Sequence, residues 1–497
     1  MIFESALFKR SVRGNIWEVI VMAFPLILAS AAHSINLFVD RLMLQHFSED
    51  AMSAAFPAGL TSFALSCYFV GTVGYANSFV AQYFGAKMYH RVGAAVWQAI
   101  YMALLGGLFA IGLTFFAEEI FDFFGHEEHL REMEVTYFRL LGWGTVAYLL
   151  VIAMLSFWGG QGKTHMVMFF DLIITAGNIP LNAMLIFGWK TPFFEIPAMG
   201  VVGAALGTVG ASLIGLIVMA CLFFLPKKNR ARYRTGNMKP DKELFRRLFK
   251  FGGPNGVQLF LDLAAFNAFV ILLGKIGTTE MNSSGVAFSL NSLAMIPMFG
   301  LGQTVSILVG QGVGGNDIPY AERAVKSARF WLYLMMVVIG ILFVVVPKPA
   351  LTLFNLIPGT EAYDMAKIML WFITAYLLFD ATSILYGSAV KGAGDTKFSM
   401  WIGSTFAWVF YGLPCLAVYY IFTRPSVIEK MGKDRADAYN LWILWTICVV
   451  YIMILGVTFY LRYRGGKWKK MKVIESEAND HTRGAIPKEV GVDAYLP

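Results

Sequence analysis

Charged residues are scarce in this sequence of 497 residues. Asp, Glu, Lys and Arg together make up 14%, and 57% of the residues are hydrophobic, whereas soluble domains carry roughly 25% charged residues. No charge occurs between Asp50 and Lys87, between Glu195 and Lys227, or between Glu280 and Asp317. Because about 20 apolar residues cross the hydrocarbon core of a bilayer, each of these stretches can hold a membrane span. The composition excludes an ordinary soluble protein.

Cysteine is also scarce. The four cysteines lie in apolar segments, and their spacing fits neither a disulfide framework nor a zinc site, so we expect small apolar fillers. The glycine-rich sequences QGVGG and GGQGKT have neither the spacing of a phosphate-binding loop nor a preceding strand. We therefore expect no cofactor and no metal centre, and a protein that is not an enzyme. The N-terminus shows no cleaved signal peptide, so the first span should start membrane insertion.

Apolar runs between turn and charge signals predict twelve membrane helices. They cover about residues 16–40, 52–78, 93–117, 134–158, 166–189, 199–226, 248–273, 283–310, 327–347, 367–390, 399–422 and 440–462. Since twelve is even, both termini lie on one face. That face is rich in Lys and Arg, with ten between Lys227 and Lys250, whereas an early loop of the opposite face carries seven acids between Glu118 and Glu134. The positive-inside rule then predicts cytoplasmic termini, with the basic residues facing anionic lipid rather than nucleic acid.

An internal repeat divides the chain into two halves. Pro25 and Pro254 are 229 residues apart, and the same offset relates VAQYFG at Gln82 to VGQGVG at Gln311. Chance matches would not keep one offset along the chain. We predict an N-lobe of six helices (1–226), a cytoplasmic linker (227–247), a C-lobe of six helices (248–463) and a mobile polar tail (464–497) that transport does not need. Two parallel halves of six spans predict a cavity between them.

Three acidic residues fall inside predicted spans: Asp40 in the first helix, Asp262 in the seventh and Asp380 in the tenth. An ionised side chain at the centre of a membrane helix costs about 2.5–3.5 kcal/mol, so each must face protein or water. At helical spacing each acid shares a face with other polar side chains. These are Asn36 and His33 beside Asp40, Gln258 and Asn255 beside Asp262, and Tyr376 and Ser383 beside Asp380.

Such carboxylates can exchange a proton or Na⁺ for a cationic substrate. Asp40 has a second interpretation, because Arg41 beside it would allow a structural ion pair. Asp171 and Glu18 lie near helix starts, where a carboxylate suits the helix dipole, and we expect them to be structural.

Two further sets of residues on the predicted helices are candidates. Asn178 and Asn182 form an i, i+4 pair in the fifth helix, which would contact the first-helix carboxylate or join two helices. Pro25 and Pro254 recur in both halves, so a role in helix bending is plausible, although prolines near helix starts need no function.

The sequence resembles the multidrug and toxic compound extrusion (MATE) family of bacterial type over about residues 14–463. The resemblance rests on FPLIL and SINLFVDRLML, VAQYFGAK, GNIPLNAMLIFG with GVVGAALGT, PNGVQLFLDL, VGQGVGG, and LLFDATSILYGSAVKGAGDTK, in this order and across both halves. It implies an all-α, V-shaped bundle of two lobes in the bacterial inner membrane, acting as a monomer.

The resemblance also implies a function and its residues. Members export cationic or amphipathic small molecules by antiport with Na⁺ or H⁺, and Asp40, Asp262 and Asp380 match the family's acidic positions. The family commonly has Glu at the seventh-helix position, so Asp262 is one methylene shorter. Coupling Na⁺ would then bind at Asp40 or at Asp262 and Asp380.

Three other functions are alternatives to the exporter, of which a non-transporting receptor or scaffold would have no reason to keep three acids inside the membrane. A lipid-linked precursor flippase shares the two-lobe bundle, but it should have a strongly basic central cavity, whereas the predicted spans carry carboxylates and almost no Lys or Arg. An intramembrane enzyme would need His, Ser or Cys clustered at membrane depth, and the sequence shows no such cluster.

Overall fold

The structure is a computed structural model in which residues 7, 9–124, 127–190, 195–354 and 356–475 are described. Within these ranges, twelve helical segments are long and apolar enough to span a membrane. All twelve predicted spans are present, and the prediction of an all-helical membrane bundle is confirmed. The described strands are limited to a hairpin of two residue pairs, β1 (Trp189–Lys190) and β2 (Glu195–Ile196), on the face opposite the termini.

Six spans come from the first half of the chain. Its helices are α1 (Ile16–Phe47), α2 (Glu49–Gly74), α3 (Ala76–Gly85), α4 (Tyr89–Thr114), α5 (Ala117–Asp122), α6 (Glu128–Gly160), α7 (Thr164–Phe187) and α8 (Val201–Phe224). Helices α2 and α3 form one span, because Tyr75 between them keeps helical backbone angles. The short α5 lies in the connection between α4 and α6.

The second half repeats this pattern after the linker helix α9 (Lys227–Tyr233). Its helices are α10 (Lys242–Ile276), α11 (Thr278–Gly314), α12 (Ile318–Val345), α13 (Pro347–Thr352), α14 (Glu361–Ala393), α15 (Thr396–Phe406), a π-helical turn (Ala407–Gly412), α16 (Leu413–Phe422), α17 (Pro425–Met431), α18 (Lys433–Arg464) and a 3₁₀ turn (Lys467–Lys470). Here α15, the π-helical turn and α16 form one span. The short α13 and α17 lie between spans.

Most of the helices are longer than the predicted spans, although α8 is shorter than the predicted 199–226. Helix α1 continues to Phe47, seven residues past Asp40, and α11 begins at Thr278 rather than near residue 283. An apolar run marks only the part of a helix that lies in hydrocarbon, whereas backbone hydrogen bonding continues beyond it until a cap ends it. For α1 that end comes at Ser48, whose extended backbone closes α1 and whose side chain caps α2.

The two halves pack as separate lobes, each with its own apolar core. The C-lobe core contains Phe269, Tyr376 and Trp445, and the N-lobe core contains Phe79 and Phe157. Each core also takes side chains from the other half: Val19 of α1 packs in the C-lobe core, and Leu244 and Leu248 of α10 pack in the N-lobe core.

The lobes touch at the membrane face that holds the termini. The repeated glycines lie at this contact: Gly85 of α3 packs on the backbone of Gln311 in α11, and Gly314 packs on the backbone of Gln82. Towards the opposite face, α2 meets α10 where Gly71 packs on Gly256. Gly71 is near the middle of the span that α2 and α3 form together, so this contact extends the interface between the lobes into the membrane. The lobes therefore form a V whose closed end is at the termini.

Two predicted boundaries need correction. The linker was predicted to reach residue 247, but α10 begins at Lys242, because the Asp241 side chain caps it by accepting a hydrogen bond from the Leu244 amide at 3.0 Å. The tail after Tyr463 was predicted to be mobile. That expectation is wrong up to Glu475, since Trp468 and Val473 are buried and the segment makes specific hydrogen bonds. The rest of the predicted tail, 476–497, lies outside the described residues.

Candidate functional site

The first acidic position, Asp40, joins a chain of polar side chains inside the N-lobe. Asn182 of α7 donates from Nδ2 to the Asp40 carboxylate at 2.6 Å and to Asn178 Oδ1 at 3.0 Å. Asn178 in turn donates to Thr208 Oγ1 of α8 at 3.3 Å. Both interpretations of the asparagine pair are therefore present in the structure: Asn182 contacts the first-helix carboxylate, and Asn178 links α7 to α8. No sequence pattern indicated Thr208 as a member of this site.

A glycine in α8 makes this arrangement possible. At Gly207 a Cβ atom would lie 2.9 Å from the side-chain carbonyl carbon of Asn182, which is closer than real Cβ atoms approach. Any larger residue would displace Asn182 from Asp40. The spacing GVVGAALGT of α8 thus serves close helix packing.

The N-lobe site has unused acceptor oxygens. Asn182 Oδ1 and Asn36 Oδ1 are buried, and in the described part of the chain neither has a hydrogen-bond partner. A buried acceptor without a partner is costly, and a bound cation or a proton at this place would supply one. Among the other predicted members of this face, Asn36 is half-buried and His33 is exposed.

The alternative ion pair between Asp40 and Arg41 does not form. The Arg41 guanidinium instead lies over the ring of Phe56 in α2, 5.1 Å from its centroid. Among the described residues Asp40 has no salt-bridge partner, and Asn182 is its hydrogen-bond donor. The carboxylate therefore remains able to receive a charge from outside.

The other two acids lie in the C-lobe, in a group of their own. Asp262 on α10 and Asp380 on α14 are both half-buried, and both are close enough to Tyr451 of α18 to interact with it electrostatically. Tyr376, buried one turn before Asp380, interacts with that carboxylate. Two acids that are 118 positions apart in the sequence thus lie near the same tyrosine of α18.

Asp262 is also surrounded by unused oxygens. Asp262 Oδ1 and Gln258 Oε1 are buried acceptors without a hydrogen-bond partner among the described residues. Gln258 fits against α15 because Gly403 there has no side chain: a Cβ would lie 3.0 Å from the Gln258 side-chain carbonyl carbon. As in the N-lobe, a carboxylate lies beside an amide oxygen. Both groups are hard oxygen ligands of the kind that alkali and alkaline-earth ions prefer. Ser383 is buried.

Asn255, predicted as a polar residue of the cavity, lines the space between the two lobes. Its side-chain amide donates to the Gly71 carbonyl of α2 at 2.8 Å, so it joins the two lobes.

Pro25 and Pro254 lie inside α1 and α10, which continue through them as helices. A role for either proline in bending stays a prediction.

A cavity of about 410 Å³ lies between the lobes, next to their closed end. Its walls come from both halves, and two charged residues line it, Asp171 from α7 and Lys391 from the end of α14. The expectation that Asp171 is a structural residue at a helix start is therefore wrong. It lies two turns into α7 and faces the space between the lobes. Glu18, in contrast, is structural as predicted, since it accepts from Gly14 N at 2.6 Å and from Tyr320 Oη at 3.1 Å.

Lys391 was missed by the sequence reasoning as a site residue. It lines the cavity and interacts electrostatically with Asp262, and its backbone carbonyl accepts from Tyr75 Oη of the other lobe at 2.7 Å. A lysine at the end of a membrane helix is typically an interface anchor. For this reason the sequence did not indicate that Lys391 lines a cavity. A single lysine among polar and apolar lining residues does not make the strongly basic cavity that a flippase of anionic lipid precursors would need.

Two six-span lobes around a central cavity, with carboxylates held in the membrane beside unsatisfied oxygens, define a polytopic membrane transporter. A family model described as MatE matches residues 25–184 and 254–414, once in each half, and the chain belongs to this family. The resemblance noted in the sequence is thereby confirmed, and the family is one of transporters rather than enzymes.

Curated relatives and solved structures agree with this assignment. The chain is 28% identical over 457 residues to the "Probable multidrug resistance protein NorM" of Pasteurella multocida, covering 90% of this chain and 93% of the relative. It is 27% identical over 458 residues to the protein of the same name from Mannheimia succiniciproducens, with the same coverage. A solved structure described as the outward-facing conformation of a multidrug resistance MATE family transporter has a TM-score of 0.77 at 16% identity, covering 92% of this chain and 97% of that one, and supports the fold.

Proposed function

We propose that this protein is a secondary active antiporter that exports cationic or amphipathic small molecules in exchange for Na⁺ or H⁺ by alternating access. The observation that carries the proposal is the pair of half-buried acidic sites, Asp40 with Asn182 in one lobe and Asp262 with Asp380 in the other. Each site combines a carboxylate with buried acceptor oxygens that have no partner. An incoming ion satisfies these oxygens and neutralises the carboxylate.

The direction of transport follows from the charge pattern. Basic residues at the termini face make that face cytoplasmic by the positive-inside rule, in a bacterial inner membrane. The V is closed there, so the cavity opens outward in this conformation. Ions driven inward then reach the carboxylates from outside, and substrate leaves on the same side. We expect one chain to be sufficient, because each lobe contributes a site and the cavity lies between the lobes of a single chain.

The energy requirement explains why coupling is needed. Moving one positive charge outward against an inside-negative potential of 100 mV costs about 2.3 kcal/mol. An ion that binds the carboxylates only in the outward-open state shifts the equilibrium between conformations by the difference in its affinity for the two. The site must therefore change its ion affinity when the lobes move.

The test is export of a cationic dye from proteoliposomes under an imposed Na⁺ gradient or an imposed pH gradient. We expect one of the two gradients to drive export, and Asp40→Asn and Asp262→Asn each to reduce the gradient-driven rate at least tenfold. Glu118→Gln is the matched control, because Glu118 is an exposed acid paired with Arg139 outside the cavity. Unchanged export in Asp40→Asn, Asp262→Asn and Asp380→Asn alike would rule out carboxylate coupling.

A further inference from the structure

The cavity between the lobes is polarised across its width. Asp171 of α7 lines the N-lobe wall and Lys391 of α14 lines the C-lobe wall. Apolar side chains from both lobes, Leu26, Leu155 and Phe299, lie between them. Below the cavity the packing of Gly85 on Gln311 closes the termini face. The cavity is therefore a closed-ended space with a negative wall and a positive wall, and both polar and apolar side chains line the rest of it.

Asp171 is the free charge of this pair. In the described part of the chain its half-buried carboxylate makes neither a hydrogen bond nor an ion pair. Lys391 is differently placed, since it interacts with the Asp262 carboxylate of its own lobe. A cation that enters the cavity is repelled from the Lys391 wall and attracted to Asp171. An uncompensated carboxylate in a membrane span is costly, and a cationic group bound beside Asp171 would offset that cost.

We propose that Asp171 binds the positive group of a transported substrate at the closed end of the cavity, the substrate being an organic monocation with an apolar body. This inference rests on the proposed export function, and it adds a substrate contact separate from the ion-coupling acids. The apolar body packs against Leu26, Leu155 and Phe299. Lys391 disfavours a second positive charge on the same molecule.

The test is equilibrium binding to the purified full-length protein of tetraphenylphosphonium, a monocation, and of uncharged triphenylphosphine oxide. Asp171→Asn should weaken tetraphenylphosphonium binding at least tenfold and change binding of the neutral compound less than twofold, while Asp171→Glu should restore most of the affinity. Glu118→Gln serves as the control. No tetraphenylphosphonium binding by the wild type, or equal weakening of both compounds in Asp171→Asn, would overturn the inference. Because binding needs no gradient, its outcome is distinguishable from a failure of coupled export.

A second, independent feature lies at the closed face. Residues 467–475, the C-terminal strap, follow α18 of the C-lobe and cross to the N-lobe. Trp468 anchors the strap: it is buried, stacks on Tyr463 at 5.1 Å between ring centroids, and donates from its indole to the Tyr463 carbonyl at 2.9 Å. The far end of the strap holds Glu475, whose carboxylate side chain is only 10% exposed.

Glu475 joins elements of both lobes. Its carboxylate accepts from Arg91 of α4 at 2.8 Å, from Tyr83 of α3 at 2.8 Å, and from Arg247 of α10 at 2.6 Å. Arg91 and Tyr83 belong to the N-lobe, and Arg247 belongs to the first helix of the C-lobe. The carboxylate is thus a buried, fully paired ion between bodies that must separate when this face opens.

The strap also shares a residue with the lobe interface itself. Gln82 of the repeated VAQ motif donates from Nε2 to the carbonyls of Gly392 and Ala393 in α14, at 3.0 and 3.2 Å. Its Oε1 accepts from the Val473 amide of the strap at 2.9 Å. One side chain therefore holds the N-lobe, the C-lobe and the strap together.

We infer that the strap is a latch that stabilises the conformation closed at the termini face. Opening this face separates Gln82 from α14 and Arg91 from Arg247, so Glu475 cannot keep all its donors. Losing donors leaves a buried charge without compensation, which opposes opening. The latch presupposes the alternating access of the proposed function.

The test measures the distance between spin labels at His165→Cys and Lys397→Cys, two exposed positions near this face in opposite lobes, with the four native cysteines replaced. Glu475→Gln should raise the fraction of molecules with the long distance at least fivefold. Lys469→Met is the matched control, because it removes a strap ion pair with Glu322 that stays within the C-lobe. Equal distance distributions in Glu475→Gln and Lys469→Met would overturn the latch. Because no substrate or gradient is present, this result is separable from a failure of transport.

Discussion

The closed end of the V depends on two glycines that the duplication placed in equivalent positions. Gly85 and Gly314 each lie on the backbone of the other lobe, at Gln311 and Gln82. We predict that Gly85→Ala disfavours the closed state of this face, and that Gly314→Ala does the same. Both glycines are helical and neither has a positive φ, so alanine introduces no backbone strain. Any effect must come from the added methyl group.

The structure sets the size of this effect. A Cβ at Gly85 would lie 2.6 Å from the carbonyl carbon and 2.7 Å from Cα of Gln311, and a Cβ at Gly314 would lie 2.7 Å from both corresponding atoms of Gln82. Ordinary contacts begin at 3.4 Å. The obstruction is backbone, so no rotamer change relieves it and the lobes must move apart. Overpacking of this kind costs about 1–3 kcal/mol, which shifts the equilibrium between conformations about 5- to 150-fold.

The label pair at His165→Cys and Lys397→Cys reports this shift as a larger fraction of long distances, and dye export should fall because the transport cycle requires the closed state. Gly112→Ala is the control, since a Cβ at Gly112 meets nothing within 4 Å. In an isolated helix, alanine is favoured over glycine by roughly 1 kcal/mol, so the thermal stability of each lobe should not fall. Unchanged distances in both Gly85→Ala and Gly314→Ala would refute the argument that this contact is tightly closed.

Three further predictions concern substitutions of charged residues. Asp395→Asn should lower the free energy of unfolding by about 3–5 kcal/mol, measured as a lower melting temperature, because buried Asp395 pairs with Arg462 at 2.6 Å. Burial, and then the neighbouring Lys228 and Arg232, lower the pKa of Lys163. Because the unfolded state binds more protons at this residue, the free energy of unfolding rises with pH between the lowered pKa and 10.5. Lys163→Met should therefore raise the melting temperature near pH 7.5 more than near pH 10.5. In double-mutant cycles on apparent ion affinity, Asn substitutions at Asp262 and Asp380 should be non-additive, because both acids act on Tyr451, whereas Asp40 should combine additively with either.

Much of the fold could be predicted because the membrane simplifies the sequence. Uncharged runs located all twelve spans, and the constant offset of 229 residues located the duplication. Helix ends were less predictable. A cap such as Asp241 at the start of α10 depends on the local backbone rather than on hydropathy, so the linker boundary was displaced by six residues.

The candidate site was only partly predictable. Helical spacing placed Asn178 and Asn182 on one face, but it did not decide that Asn182 reaches Asp40, which depends on Gly207 bringing α8 against α7. Asp171 was misassigned because nearness to a helix start suggested a dipole role, whereas its exposure to the cavity depends on how two lobes meet. Contacts between distant segments carry no short-range signal. The strap was missed for the same reason.

Duplication and the strap have opposite consequences for symmetry. Two equivalent halves meet through equivalent surfaces, and the reciprocal packing of Gly85 and Gly314 is the result. The strap, however, follows the last span of the C-lobe and crosses to the N-lobe. The forces that close this face are therefore symmetric at the glycines and asymmetric at Glu475. Arg91 binds both Glu475 of the strap and Asp241 of the linker, so these two segments meet at one residue.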